Sequence, residues 1–388
     1  MNTRSCAVWA AIAAPALLAA CSVLPAKKPQ LPDRGASDTN LQSRPLPPLA
    51  EGQHSAGNQN EGPNESQNES QNESQNEGQI EGQIEGQIEG QNKKNQSAIL
   101  VDPIYPVQIK QTGRLENQQL DELSGMVASR TTPGVLYAVN DSGNKAQLYA
   151  LSETGKHLNS WRIEAVNRDW EDMAIYEKDG VHYLVIGDTG DNLGTHPSVS
   201  LLFLREPSLN TPGEQILPID FKLEFTYEKG PVNVEAFCIV QDQLLLLSKE
   251  PITQAGPVPS RVYSLMLSNL AENRPRVASE LTTMPIMQSS LESRMVAALA
   301  GVDLNQPTAM DFDPLNQTLY ILTYRHIMKL QKNTNQSWVD VFASSIKRIH
   351  AHRLDQAEAL AVSPGRAIWF SSENRAAELW AIPVSPPL

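Results

Sequence analysis

Cysteine is scarce in this chain: three residues in 388, at positions 6, 21 and 238. Two of them belong to the N-terminal apolar segment, so a disulfide framework is excluded. Cys238 stands alone in the run Phe237-Cys238-Ile239-Val240 and is expected to be a buried, inert thiol. Positive charge is in the minority, 31 Lys and Arg against 44 Asp and Glu, for a formal net charge of −13. That balance argues against nucleic acid as a partner, whose phosphates call for cations, and allows acidic clusters that gather cations instead. The apolar stretch within the first twenty residues is too short for a permanent transmembrane helix. Two catalytic signatures are missing as well. There is no G-x-S-x-G, hence no α/β-hydrolase nucleophile elbow. The run Gly187-Asp188-Thr189-Gly190-Asp191-Asn192 lacks the Lys-Ser/Thr that completes a P-loop.

What is present begins with a leader. MNTRSCAVWAAIAAPALLAA has one early cation, Arg4, and then an apolar stretch, the pattern of a secretory signal over residues 1–20. Leu18-Ala19-Ala20-Cys21 resembles the bacterial lipoprotein box. The resemblance implies a diacylglyceryl, palmitate-bearing anchor on Cys21, and Ser22 rather than Asp implies sorting to the outer membrane of a Gram-negative envelope. The competing reading is an ordinary signal cleaved after Ala20. Several acyl chains anchor stably, since each buried methylene adds about 0.8 kcal/mol.

Residues 21–96 form the lipidated N-terminus and a low-complexity tether. A tetrapeptide repeats there, NESQ and then IEGQ, with glutamate at every fourth position from Glu61 to Glu89. In a helix those like charges would repel at i,i+4, and Gly, Asn and Ser are poor helix formers. The segment is expected to be a disordered spacer reaching on the order of 50 Å.

Residues 97–388 read as one β-rich domain. Short apolar runs such as Val135–Val139 and Leu201–Leu204 alternate with Gly, Pro and Asn turns. One stretch, 290–300, has helical character, with Gly301 as terminator. Self-similarity organises the rest. Ser124-Gly125-Met126, Glu171-Asp172-Met173, Glu235-Ala236-Phe237, Thr308-Ala309-Met310 and Glu358-Ala359-Leu360 share one pattern, each followed by an apolar strand, a polar turn and a third strand. Fourth strands are expected at SWRIE, IDFKLEFTY, RVASELTT and WVDVF. Residues 106–110 are a spare strand that would complete the last repeat and remove an open edge. The fold class is therefore all-β, a β-propeller of five blades closed by an N-terminal strand. A sixth, degenerate blade between Glu235 and Thr308 is the alternative. VIGDTGDN, residues 185–192, is then a strand end and turn, its Asp and Asn bonding local backbone and its glycines supplying positive φ.

In a propeller the first strand of each blade lines the channel. Ser124, Glu171, Glu235, Thr308 and Glu358 are expected to ring it at similar height. Three converging glutamates need a cation or a basic partner, and Asp172, Lys249 and Arg325 are candidates to join or neutralise them. Calcium, which takes six to eight oxygens, suits Glu171, Glu235 and Glu358. Asp188 and Asp191 are placed at the rim. These Glu-Ala, Ser-Gly and Ser-Glu motifs resemble bacterial phytase-like and related secreted or lipid-anchored propellers. The resemblance covers most of 120–383 and implies acidic channel positions associated with calcium, with esterase- or phosphoesterase-like activity in some members. His350-x-His352 would present both rings on one face of a strand, as in a zinc site, but its basic flanks favour a solvated turn.

Two functions follow. One is a monomeric binding or scaffold module, held off the outer membrane on its tether and receiving an envelope protein or small ligand. The other is a calcium-dependent phytase-like hydrolase, with Lys249, Arg325 and Arg375 contacting substrate.

Overall fold

Strands that pack between two neighbours are apolar on both faces, whereas strands at an edge alternate. The inner strands here show the first pattern and the outer strands the second. The computed structural model describes residues 107–388 apart from 214, 254–255, 269–275, 286, 288–290, 345 and 385–388. The leader, Cys21 and the tether lie outside the described residues. Five strands are buried throughout or nearly so: β2 (Leu123–Ala128), β6 (Trp170–Lys178), β11 (Val234–Val240), β15 (Pro307–Asp313) and β19 (Ala357–Ser363). Each begins one of the repeated segments. By contrast β10 (Phe221–Tyr227) alternates exposed and buried residues along its length, as the outermost strand of a blade must.

Each inner strand starts an antiparallel meander. Blade 1 continues through β3 (Val135–Asn140), β4 (Gln147–Ser152) and β5 (His157–Ile163), with β9 (Ile216–Leu217) added in parallel at its edge. Blade 2 is β6, β7 (Val181–Asp188), β8 (Val199–Arg205) and β10. Blade 3 is β11, β12 (Gln243–Ser248), β13 (Arg261–Met266) and β14 (Val277–Thr283). A two-residue parallel pairing of β10 with β14 joins the rims of blades 2 and 3. Blade 4 is β15, β16 (Thr318–Thr323), β17 (His326–Gln331) and β18 (Lys347–Ala351). Blade 5 is β19, β20 (Ala367–Ser372), β21 (Glu378–Pro383) and, from the opposite end of the domain, β1 (Lys110–Arg114).

The fold is a five-bladed β-propeller, and its core settles the blade number. Among the described residues five large hydrophobic clusters stand one at each junction between consecutive blades, including blade 5 against blade 1. Among the described residues no strand beyond β12, β13 and β14 lies between β11 and β15. The helix α1 (Leu291–Ala300) lies in that interval and ends at Gly301 (φ 69°). Cys238 is buried in the cluster between blades 3 and 4, where burial pushes its thiol well above the ordinary range.

Three expectations need correction. WVDVF is not a strand but part of α2 (Trp338–Ala343). Ser337 and Asp340 form a capping box, and Trp338, Val341 and Phe342 share one buried face. The fourth strand of blade 4 is instead β18, which carries His350; the His350-x-His352 segment is not a solvated turn. His352 is buried and its Nε2 lies 3.1 Å from the Thr323 carbonyl oxygen, while both rings pack on Phe370. The closing strand is residues 110–114 rather than 106–110, because Thr112 and the register of β1 fix it on β21 through Lys110–Ala381 and Arg114–Glu378.

Candidate functional site

Five β-bulges build the site. The pairing of each inner strand with its neighbour skips one residue, between Leu123 and Gly125, Trp170 and Asp172, Val234 and Ala236, Pro307 and Ala309, and Ala357 and Ala359. The skipped residues are Ser124, Glu171, Glu235, Thr308 and Glu358. A bulge leaves its extra residue out of the ladder and re-aims the side chain, which is why the polar member of each repeat turns to the channel mouth. The residues paired across each bulge are Asn140, Asp188, Ser248, Thr323 and Ser372. The next residue in each case, Asp141, Thr189, Lys249, Tyr324 and Glu373, supplies a second ring.

Three neutral members of these rings are structural. Ser124 Oγ donates to the Trp170 carbonyl (2.9 Å), Thr189 Oγ1 to Val234 (3.0 Å) and Thr308 Oγ1 to Ala357 (2.7 Å). Each hydroxyl ties a blade to the inner strand of the next blade. Ser124 and Thr308 thus tie neighbouring blades through their hydroxyl protons.

The basic half of the mouth centres on Lys249. Its Nζ lies 3.0 Å from Glu235 Oε1 and donates to the Tyr324 hydroxyl at 2.8 Å, which in turn donates to Glu358 Oε1 at 3.0 Å. Asn233 Nδ2 also donates to Glu235 (2.8 Å). Burial alone would lower the Lys249 ammonium, but Glu235, Tyr324 and Glu358 outweigh it and hold the group well above its usual range. Burial, then the neighbouring Glu358 charge, pushes Glu373 up to about 11, so Glu373 carries the proton it shares with Glu358. Glu171, Glu235 and Glu358 therefore do not form a carboxylate-only set. A lysine and a tyrosine already occupy two of the three.

The acidic half is different. One oxygen from each of Asp141, Asp169 and Glu171 lies within 4.8 Å of the others. The Glu171 side chain is 4% exposed, and among the described residues no donor reaches its carboxylate. Burial first, then Glu235, Asp141 and Asp169, raises it well above a normal glutamate, with the nearby Lys249 charge opposing the shift. Asp141 is pushed up to about 8 by burial, with Glu358, Glu235 and Asp169 adding to the shift against an opposing backbone bond from Ser142. Asp169 is raised by burial, although a bond with the Ser142 side chain opposes the shift. Among the described residues no lysine or arginine pairs with any of the three.

The GDTGDN turn closes one side of this cluster. A Cβ on Gly190 would lie 2.1 Å from Glu171 Oε1 and 2.5 Å from Asp169 Oδ2. Gly190 is thus required for close approach to two carboxylates, not for a positive φ. The same holds at Gly187, where a Cβ would meet the Phe237 ring at 2.4 Å. Asp191 is spent on the loop itself, accepting from Thr195 N (2.8 Å) and His196 N (2.9 Å). Asp188 accepts from Asp169 N (2.9 Å) and faces Arg168 Nε at 3.4 Å.

Asp172 and Arg325 also leave the ligand set. Asp172 is fully buried and accepts from Phe237 N and Met310 N, both at 3.0 Å, and from its neighbour Met173 N. It is a staple across blades 2, 3 and 4 inside the channel. Arg325 Nη1 donates to the His352 carbonyl (2.9 Å), on the blade 4 rim. Of the residues singled out from sequence, Glu171, Glu235, Glu358 and Lys249 do converge. Asp141, Asp169, Tyr324 and Glu373 were missed. Three of those four sit one position past the repeated strand end, so the repeat alignment that found the first ring could have found them.

The fold and this mouth define a propeller with an acidic, partly proton-loaded channel entrance. No family model matches the chain, and no curated relative matches it. Among solved structures it is similar to a PQQ-bound aldose sugar dehydrogenase from Streptomyces coelicolor, at 10% identity and TM-score 0.39 over 73% of this chain and 99% of that one. A glucose dehydrogenase matches at 11% identity and TM-score 0.39 over 72% and 100%. The Dos1 propeller matches at 9% identity and TM-score 0.30 over 68% and 57%. The blade assignment rests on strand pairing and core clusters alone.

Proposed function

We propose that this chain is a binding module of the cell envelope, anchored to the outer membrane through Cys21, held out on its tether and working as a monomer. Its ligand is a cation received at the channel mouth, and calcium is the simplest cation that fits. One observation carries this reading. Glu171 is 4% exposed with no hydrogen-bond donor among the described residues, and its oxygen lies within 4.8 Å of those of Asp141 and Asp169. Oxygens on a sphere of calcium's ligand distance, 2.3–2.6 Å, are separated by no more than about that span. Three crowded carboxylates must hold protons or take up positive charge. Gly190 lets its backbone pack directly against the Glu171 and Asp169 carboxylates, which keeps the cluster tight.

The calcium-dependent phosphoesterase reading ranks second. It calls for basic substrate contacts, and Lys249 is committed to Glu235 and Tyr324. Arg375 is turned to Asp121 (3.1 Å) and Arg325 to the blade 4 rim. The test is thermal unfolding of residues 97–388 with calcium and with chelator. Calcium at a hundred times its dissociation constant should stabilise the fold by about 2.7 kcal/mol. Identical melting in both conditions would remove the cation reading.

A further inference from the structure

Among the described residues, the three most exposed large apolar side chains are Val166 (81%), Leu299 (80%) and Leu193 (78%), well ahead of the next, Leu315 (58%). All three are carried by connections at the end of the propeller where the acidic mouth opens. Val166 lies between β5 and β6, three residues before Asp169. Leu193 lies between β7 and β8, three residues after Gly190. Leu299 lies on α1, between β14 and β15. Leu315, by contrast, is at the opposite end, between β15 and β16.

The two loops nearest the carboxylates are built, not slack. Asp191 fixes the Leu193 loop through the amides of Thr195 and His196, and Gly194 N closes a turn on the Asp191 carbonyl (3.0 Å). Asn167 fixes the Val166 loop, donating to the carbonyls of Asn140 (2.9 Å) and Asp141 (2.7 Å) and accepting from Trp170 N (3.2 Å). Arg168 then joins the loops by donating to the Ser198 carbonyl (3.1 Å), and Gly190 N bonds the Asp169 carbonyl (3.2 Å). Val166 and Leu193 are thereby held on fixed loops at the mouth end with their side chains in solvent. Exposed apolar side chains on ordered loops beside a charged well suit a protein segment, and the sign of the charge selects the partner.

We infer that the mouth docks a segment of another protein presenting a lysine or arginine flanked by apolar side chains, the cation entering between Asp141 and Asp169 while the flanks cover Val166 and Leu193. This rests on the cation-binding reading and adds a basic side chain as a second ligand that competes with the ion for the same carboxylates. Three crowded carboxylates favour a cationic segment over an acidic one.

Three synthetic peptides test this on residues 97–388 by fluorescence anisotropy: an arginine between leucines, the same peptide with glutamate for arginine, and the arginine peptide with alanine flanks. Calcium binding is measured alongside by calorimetry. The leucine-flanked arginine peptide should bind at least tenfold more tightly than either of the others, and calcium should compete with it. A Val166→Ser, Leu193→Ser double variant should lose that tenfold preference while keeping calcium binding, and the exposure of both sites leaves folding intact. Glu171→Gln should weaken both ligands. Equal binding of the leucine- and alanine-flanked peptides, or calcium binding with no peptide binding, overturns the docking inference and leaves the cation reading standing. Binding of neither removes both.

Discussion

Proton loading of the mouth makes stability fall as pH rises, and the size of that fall follows from Asp141. Its folded-state value is about 8, against about 3.9 for an unfolded aspartate. A raised folded value means that the folded chain keeps a proton which the unfolded chain has lost. The associated stability is complete below about pH 4 and disappears as pH climbs through 8. One retained proton corresponds to about 1.4 kcal/mol per pH unit. From pH 7 to 8.5 Asp141 therefore removes about 1 kcal/mol on its own, or about 2–4 °C in Tm for a domain of this size. Glu171 and Asp169 are shifted the same way and steepen the fall, and Glu373, raised to about 11 outside the three-carboxylate cluster, adds a slope common to both series. The window avoids His326 and His352, which burial lowers to about 4 and about 3 and which act with the opposite sign below pH 6.5. The assay is urea unfolding at pH 7, 7.5, 8 and 8.5, in chelator and in saturating calcium. The chelated series should lose stability steadily, and the calcium series should be flatter because the ion takes the place of the protons. A flat chelated series, or two parallel series, would refute the reasoning.

Lys249→Met should cost about 3–5 kcal/mol in urea unfolding at pH 7, since it leaves the nearly buried Glu235 without its counter-ion. Asp172→Ala should cost about 2–6 kcal/mol by the same measurement, as the amides of Phe237 and Met310 each lose a buried acceptor worth about 1–3 kcal/mol. Deleting residues 51–96 should leave the thermal transition of the domain unmoved, because a low-complexity repeat of this composition has too few apolar residues to bury a core; a loss of several degrees would contradict the spacer assignment. Cys21→Ala should release the protein from membranes or stall its processing, and unchanged membrane fractionation at normal mature size would count against the anchor.

The propeller was legible because its inner strands are sandwiched between blades and carry a repeated polar-small-apolar signature at one bulge each. That signature located Glu171, Glu235 and Glu358 before any coordinates. Their chemistry was not legible, since it depends on which partner each one meets. Lys249 and Tyr324 arrive from the second strands of blades 3 and 4, and nothing in the local sequence says that they reach Glu235 and Glu358 while Glu171 is left to Asp141 and Asp169. Composition also misled at WVDVF, where β-branched and aromatic residues suggested a strand. The Ser337–Asp340 capping box and a single buried face decided for a helix. At His350-x-His352 the basic flanks suggested solvent, but the strand places His352 against Phe370 and the Thr323 carbonyl. Gly190 carried the opposite lesson. Its role comes from two carboxylates behind it, which the turn motif alone could not reveal.

Calorimetric titration of residues 97–388 with calcium at pH 8, wild type beside Glu171→Gln, tests the central claim most directly. The account predicts one ion per chain in the wild type, with protons released on binding, and no measurable binding in Glu171→Gln at undiminished stability in chelator. Wild-type titration without heat, or unchanged calcium binding in Glu171→Gln, would contradict it.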